Sequence, residues 1–216
     1  DQARIHEALA CYQQALQLDP SKASVHSNLL FNLHYAEPYD AQAIYAAHRQ
    51  WAQRHSASAA VFARSVVGDK NPDKRLRIGY VSADLRSHSV AFFLESILAA
   101  RNQREFEVLC YSNSVAADTT TARLRALVDG WRDIAGLDDE QAAALIRSDA
   151  IDILVDLAGH TKANRLPLFT RKPAPIQITY LGYPDTTGIE AIDYRLTDEW
   201  ADPPGQTEHL HSEQLV

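Results

Sequence analysis

Methionine is absent from this 216-residue chain, and cysteine occurs only twice. Without methionine, Asp1 reads as an internal position, and the sequence as part of a longer protein that opens inside a helix and stops at Val216 without a closing element. Two cysteines as distant as Cys11 and Cys110 make no disulfide framework. Cys11 falls in a helical pattern and Cys110 in a strand pattern, and both are expected to be reduced core residues in a cytoplasmic protein. No run approaches the ~18 apolar residues of a membrane span, and none reads as a signal peptide. Basic charge is scarce as well: 21 Lys and Arg against 28 Asp and Glu leave a net charge of −7. That argues against nucleic acid or an anionic membrane as the main partner, and the short basic stretch Lys162 to Lys172 does not reverse it. Three motifs are missing too. There is no G-x-S-x-G elbow and no Cys/His metal set. The first strand also runs into Gly79-Tyr80-Val81-Ser82-Ala83-Asp84 instead of G-x-G-x-x-G, so a dinucleotide is not held in the standard manner.

What is present has the composition of an ordinary globular protein, with 23% charged and 46% hydrophobic residues. Residues 1–35 read as helical. Ala8, Tyr12, Ala15 and Pro20 are spaced as in the second helix of a tetratricopeptide (TPR) repeat, and Val25, Leu29, Leu30 and Leu33 mark a following helix. An ordinary helical hairpin would leave the same trace. Residues 36–74 link onward: Pro38 interrupts, Ala41–Ser56 is helical with Ile44, Ala47, His48 and Trp51 on one face, and Asn71-Pro72-Asp73-Lys74 reads as a hinge and domain boundary. From residue 75 to 216 strands and helices alternate. The predicted strands are Leu76–Ser82, Glu107–Tyr111, Trp131–Ile134, Ile151–Leu157, Ile176–Tyr180 and Tyr194–Thr197. The predicted helices are Val90–Ala100, Thr121–Val128, Glu140–Arg147 and a short one near Arg165–Thr170. Such alternation implies βαβ units and a parallel, Rossmann-like α/β sheet.

Ligands in open α/β sheets sit outside the carboxyl ends of the strands, which directs attention to three loops. In Ser82–Val90, His88 falls at a helix N-terminus that Ser87 or Ser89 can cap; the positive end of the helix dipole would keep its imidazole neutral, able to accept a proton or donate a hydrogen bond. A loop-closing histidine is the plainer alternative. Gly159-His160-Thr161-Lys162, with Asn164 and Arg165, supplies donors at a strand end, or only caps the loop. In Leu181–Gly188, Gly182 permits close backbone approach, Pro184 stiffens the turn, and Thr186 and Thr187 offer hydroxyls; a structural turn would look the same. His26 and His34 share one helix face, which lines a cleft or is simply solvated, and their spacing is too long for a shared ion. Asp138-Asp139 reads as a helix N-cap.

Several stretches in fixed order carry a resemblance: TPR-like helices, then Arg75-Leu76-Arg77-Ile78-Gly79-Tyr80-Val81-Ser82, Ser87-His88-Ser89, Asp156-Leu157-Ala158-Gly159-His160-Thr161, Arg171-Lys172-Pro173-Ala174-Pro175-Ile176-Gln177 and Leu181-Gly182-Tyr183-Pro184. Together they resemble the O-GlcNAc transferase family (glycosyltransferase family 41) in a bacterial form, and are also similar to the plant SPINDLY proteins. The resemblance implies a GT-B glycosyltransferase whose N-terminal catalytic lobe matches residues 75–216, with the nucleotide-binding C-terminal lobe absent. It implies inverting transfer of N-acetylglucosamine from UDP-GlcNAc to Ser/Thr hydroxyls of proteins, without a metal or other cofactor, with peptides engaged by the TPR-like helices. By position, His88 corresponds to the family's histidine near sugar and phosphates. Ser89 and Val90 align with the next two pocket residues, where the animal enzymes have Pro and Thr. Leu181 and Gly182 match a backbone contact to the sugar. Tyr183, His160, Thr161 and His26 complete the expected substrate-binding set, although His26 only neighbours the position of a second histidine in the animal enzymes. A GDP-fucose donor, as resemblance to SPINDLY implies, and a non-catalytic peptide-binding scaffold are the competing readings. Half a cleft cannot preorganise both reactants, so residues 1–216 alone are expected to be inactive.

Overall fold

The computed structural model describes residues 4–56, 71 and 74–216. Apolar, β-branched runs become strands β1 (Leu76–Ser82), β2 (Phe106–Ser112), β3 (Gly130–Asp133), β4 (Ile153–Asp156), β5 (Ile176–Tyr180) and β6 (Tyr194–Leu196), followed by β7 (Gln214–Leu215). All seven join one sheet in the order β3-β2-β1-β4-β5-β6-β7, every neighbouring pair parallel. The chain thus winds outward from β1 to β3, returns to the other side of β1, and continues from β4 to β7. The order reverses between β1 and β4, and a crevice opens at such a switch point beyond the strand ends. Each expected strand forms within one or two residues of its predicted bounds. β7 and the 3₁₀ turn Glu208–Leu210 lie outside the predicted elements; a two-residue strand has no periodicity of its own and exists only through its pairing with β6.

Helices cover both faces. Three of them form close to where the sequence predicts helices: α4 (Ser89–Ala100), α5 (Thr119–Ala126) and α6 (Asp139–Ser148), with the short α7 at Leu166–Phe169. Asp118 and Asp138 open α5 and α6 with reciprocal capping boxes, Asp138 pairing with Gln141 as the N-cap its position predicts. On one face Leu94, Leu98 and Leu124 pack with Val108, Cys110 and Val155. On the other, Leu109, Tyr111 and Leu154 meet Ile146 and Phe169. Alternate residues of β2 and β4 therefore point into different layers, as a sheet buried on both sides requires.

The helices that precede the sheet, α1 (Ile5–Leu18), α2 (Ala23–Leu33) and α3 (Ala41–His55), belong to the second of these clusters through Leu9, Leu30, Leu33 and Trp51. α3 starts where Asp40 accepts the Ala43 N–H at 2.7 Å and buries Ile44, His48, Trp51 and Ala52, one stripe at helical spacing. The hinge read at Asn71–Lys74 includes Pro72 and Asp73, which lie outside the described residues. One core assignment fails: Cys110 is buried but Cys11 is exposed. The buried stripe of α1 runs through Leu9 and Leu16, and a residue two positions from Leu9 is carried to nearly the opposite side.

Trp51 is fully buried, and its indole donates to the Ala23 carbonyl at 3.1 Å, tying α3 to the start of α2. Replacing it with Ala should cost about 3–5 kcal/mol, read as a lower denaturant midpoint for the protein. An unchanged midpoint would show that this contact does not hold the helices in place.

Candidate functional site

The carboxyl ends of β1, β2, β4 and β5 surround a pocket of 420 Å³. After β1 come Ala83, Asp84, Arg86, His88 and Val90; after β2, Asn113, Ser114 and Val115; after β4, Thr161, Lys162 and Ala163; after β5, Gly182. This is the crevice that the switch point between β1 and β4 creates. A neighbouring groove of 640 Å³ runs from the start of α2 (Lys22, Ser24, Asn28) past Asp138 and Asp139, and shares Thr161, Lys162 and Ala163 with the pocket.

His88 is the N-cap of α4, the role assigned in the sequence to Ser87 or Ser89. Its Nδ1 accepts the Val90 N–H at 3.3 Å. Its side chain is 38% exposed, and Nδ1 lies 3.9 Å from Asp84 Oδ2. Val90 is buried behind it and contributes to the wall, whereas Ser89 is exposed and is not among the lining groups. The α4 N-terminus brings the partial positive charge of a helix end to this wall. Arg86 pairs with Asp84 at 3.2 Å. In the basic stretch, Arg165 pairs with Asp139, Arg171 with Glu140 and Lys172 with Asp193. Lys162 alone in that stretch has no ion-pair partner among the described residues, and it faces both cavities.

On the opposite wall the end of β5 is bent sharply. The Gly182 N–H donates to the Tyr180 carbonyl at 2.8 Å, across Leu181 at φ +70°. A three-residue turn through a non-glycine residue at positive φ is strained. Leu181 packs toward the α4 side and presents Gly182 to the pocket. A Cβ at Gly182 would collide with the Leu157 carbonyl oxygen, so only glycine lets the ends of β4 and β5 approach this closely.

Besides Ser89, the structure removes five expected side chains from the pocket. His160 is fully buried, with Nδ1 3.0 Å from Ser27 Oγ and Nε2 2.9 Å from the Thr187 carbonyl; it joins α2 to the loop after β5 and presents nothing to a ligand. Tyr183 is buried too, its hydroxyl 2.9 Å from His34 Nε2 and 2.8 Å from His48 Nε2. Thr186 and Thr187 give their hydroxyls to Glu213, and Thr187 N–H donates to the same carboxylate at 2.8 Å, so the turn is structural. His26 is neither solvated nor a pocket wall: it is buried with Nδ1 3.0 Å from His55 Nε2. For His160 and Tyr183 the physical reason is the same: the N-terminal helices lie against the loops that follow β4 and β5 and take up their polar groups. Thr186 and Thr187 are instead claimed by Glu213, ahead of β7, and His26 by the neighbouring helix α3. Thr161 keeps its expected place on the wall, its hydroxyl donating to the Ala158 carbonyl at 2.8 Å. Asn113 and Ser114, absent from the predicted set, follow β2 directly; the rule that parallel strands end at the ligand would have found them.

A family model for glycosyl transferase family 41 matches residues 20–216, nearly the whole chain. The chain belongs to glycosyl transferase family 41. A TPR-repeat model matches residues 1–29 of this family 41 chain. Among its relatives, a rice protein named "Probable UDP-N-acetylglucosamine--peptide N-acetylglucosaminyltransferase SPINDLY" is 43% identical over 209 residues, 95% of this chain and 22% of the rice protein. The Arabidopsis thaliana SEC protein, given the same enzyme name, is 40% identical over 144 residues, covering 66% of this chain and 15% of that one. The solved structure of a Thermobaculum terrenum O-GlcNAc transferase K341M mutant superposes with a TM-score of 0.91 at 40% identity, covering 99% of this chain and 41% of that one. The chain spans about a fifth of the length of the plant relatives. Among the described residues no helix is long and apolar enough to cross a membrane.

Beneath the pocket, the seam between helices and sheet gathers His26, His34, His48, His55 and His160, and burial pushes all five imidazoles toward the neutral form. His26 falls to about 4, through burial first and then its neighbour His55. Unfolded, these rings take protons near the ordinary histidine value of ~6.5. Below that value the unfolded state binds more protons, so stability is lost as pH falls. Asp156 acts in the opposite sense: burial raises its carboxyl to about 6, so its contribution weakens as pH rises from about 4 to 6. With five histidines against one carboxyl, the unfolding midpoint should drop between pH 7 and pH 5, and drop less in His26→Gln. A midpoint that stays level or climbs toward pH 5 would contradict this account.

Proposed function

We propose that this chain forms the acceptor-side half of an inverting glycosyltransferase that moves N-acetylglucosamine from UDP-GlcNAc to Ser or Thr hydroxyls of proteins. One observation carries the reading: in a family 41 chain, the switch-point pocket is walled on one side by His88 at a helix N-terminus and on the other by the strained Leu181–Gly182 turn. The likeness to enzymes named for this reaction supports the donor and the acceptor class. On this reading the division is 1–35 TPR-like helices, 36–74 linking segment and 75–216 catalytic lobe. A second, nucleotide-binding lobe completes a GT-B pair in the cytoplasm.

The acceptor hydroxyl oxygen attacks the anomeric carbon, the bond to UDP breaks with inversion, UDP leaves carrying the electron pair, and the hydroxyl proton passes to water. No metal is needed if fixed dipoles and cations receive the leaving diphosphate. On this lobe the α4 N-terminus and Lys162 stand where anionic oxygens would arrive. His88 spends Nδ1 on the Val90 N–H, which leaves Nε2 to donate to sugar or phosphate; its role is to orient the donor. Gly182 offers a flat backbone surface for the sugar. The groove from α2 past Thr161 would carry the acceptor peptide, and proteins selected by the TPR-like helices would enter there.

In the full-length enzyme His88→Ala should lower transfer at least ~100-fold through lost positioning of the donor, measured as UDP release and as peptide glycosylation. Turnover close to wild type would reject the assignment of His88. Offering UDP-GlcNAc and GDP-fucose in parallel identifies the donor, and exclusive use of the fucosyl donor would overturn the choice of sugar. Gly182→Ala should raise the KM for the donor by more than tenfold while leaving a folded protein, because the turn must move away from Leu157. An unchanged KM would place the sugar elsewhere.

A further inference from the structure

We propose that His34, His48 and Asp185 bind a transition-metal dication of the zinc type, with the Tyr183 oxygen as fourth ligand, at the junction of α2, α3 and the loop after β5. Their ligating atoms lie within 4.8 Å of one another. His34 Nε2 is 3.6 Å from Asp185 Oδ2, and both Nε2 atoms lie within 2.9 Å of the Tyr183 oxygen. Bonds of about 2.0–2.2 Å in a tetrahedron set ligand atoms roughly 3.3–3.6 Å apart. The His34 contacts to Asp185 and Tyr183 already approach that spacing, and the two histidines and the carboxylate close in from within 4.8 Å to receive an ion.

Two features distinguish this group from a chance cluster. The first is outer support of the kind metal ligands have. His48 Nδ1 faces the Ile44 carbonyl at 2.8 Å, which fixes its proton there and turns the Nε2 lone pair inward. Asp185 Oδ1 accepts the Thr186 N–H at 2.6 Å, which leaves Oδ2 toward His34. Arg195 donates to the Tyr183 and Asp185 carbonyls at 3.0 Å each and anchors the loop. The second is access: the side chains of His34 and Asp185 remain 23% and 22% exposed and give solvent a way in. Two imidazoles with a single carboxylate suit zinc, not the oxygen-seeking magnesium or calcium.

Without metal the hydrogen bonds are complete: His34 Nε2–H donates to the Tyr183 oxygen, whose hydroxyl donates to His48 Nε2. Binding requires the His34 proton to shift to Nδ1 and the Tyr183 proton to leave to solvent. Each ion bound therefore releases one proton, and affinity rises with pH. The site shares no residue with the pocket lining, so its test stands apart from the donor assignment.

The experiment strips the full-length protein with a chelator and titrates zinc against a chromogenic competitor, then repeats the titration with cobalt(II) while recording absorption. Wild type should take up one equivalent more than His34→Gln or Asp185→Asn, both shown folded by circular dichroism. In each variant the affinity at this step should fall by more than the ~10–100-fold that loss of an outer partner costs. Bound cobalt should give d–d bands of tetrahedral intensity. Equal uptake by wild type and both variants, or pale octahedral cobalt at the extra equivalent, would overturn the proposal.

Discussion

The Tyr183 hydroxyl, held between His34 and His48, is the contact on which the rest of the arrangement depends. Two helices from the start of the chain and a loop from near its end meet at this one oxygen. Behind it the Tyr183 ring lies against Gly159, where a Cβ would strike the tyrosine and where φ is +54°. In front of it the backbone continues into Gly182 and the pocket wall. The helices are thus not an appendage to the sheet: they fix the loop that shapes one side of the crevice.

Polar seams between layers are costly unless every member finds a partner, and this one is nearly closed. His160 bridges Ser27 and Thr187, Glu213 gathers Thr186 and Thr187, and Trp51 stacks edge-on to His160 with ring centroids 4.9 Å apart. Neutral histidines suit such a seam, because each ring supplies one donor and one acceptor without a charge to bury. Asp156 serves the same end inside the sheet, accepting from Ala158 and Gly159 at the β4 terminus and from Thr179 on β5.

The sheet was almost fully legible from local patterns, since buried parallel strands announce themselves as short apolar runs and Asp138 opens its helix with a side-chain cap. His88, Val90 and Gly182 were legible because they stand directly after strands whose ends define the crevice. His160 and Tyr183 were misplaced for a single reason. A polar residue after a strand end looks the same whether it meets a ligand or a helix, and which it meets here depends on contacts across more than a hundred residues. His26 was misplaced because helical spacing alone does not reveal that α3 sets His55 against it. The pairing of His34 with His48 was hidden similarly, because spacing along α2 says nothing about what α3 brings beside it.

The pocket takes its walls from the ends of four strands that are scattered along the sequence and adjoin only after the sheet has assembled. No hairpin or single βαβ unit contains even a rudiment of it. A chain emerging from the ribosome cannot grip a ligand until β5 has emerged and docked beside β4. Occupancy of the crevice therefore reports completed folding, and any ligand that fills it favours the fully wound sheet over every partial one.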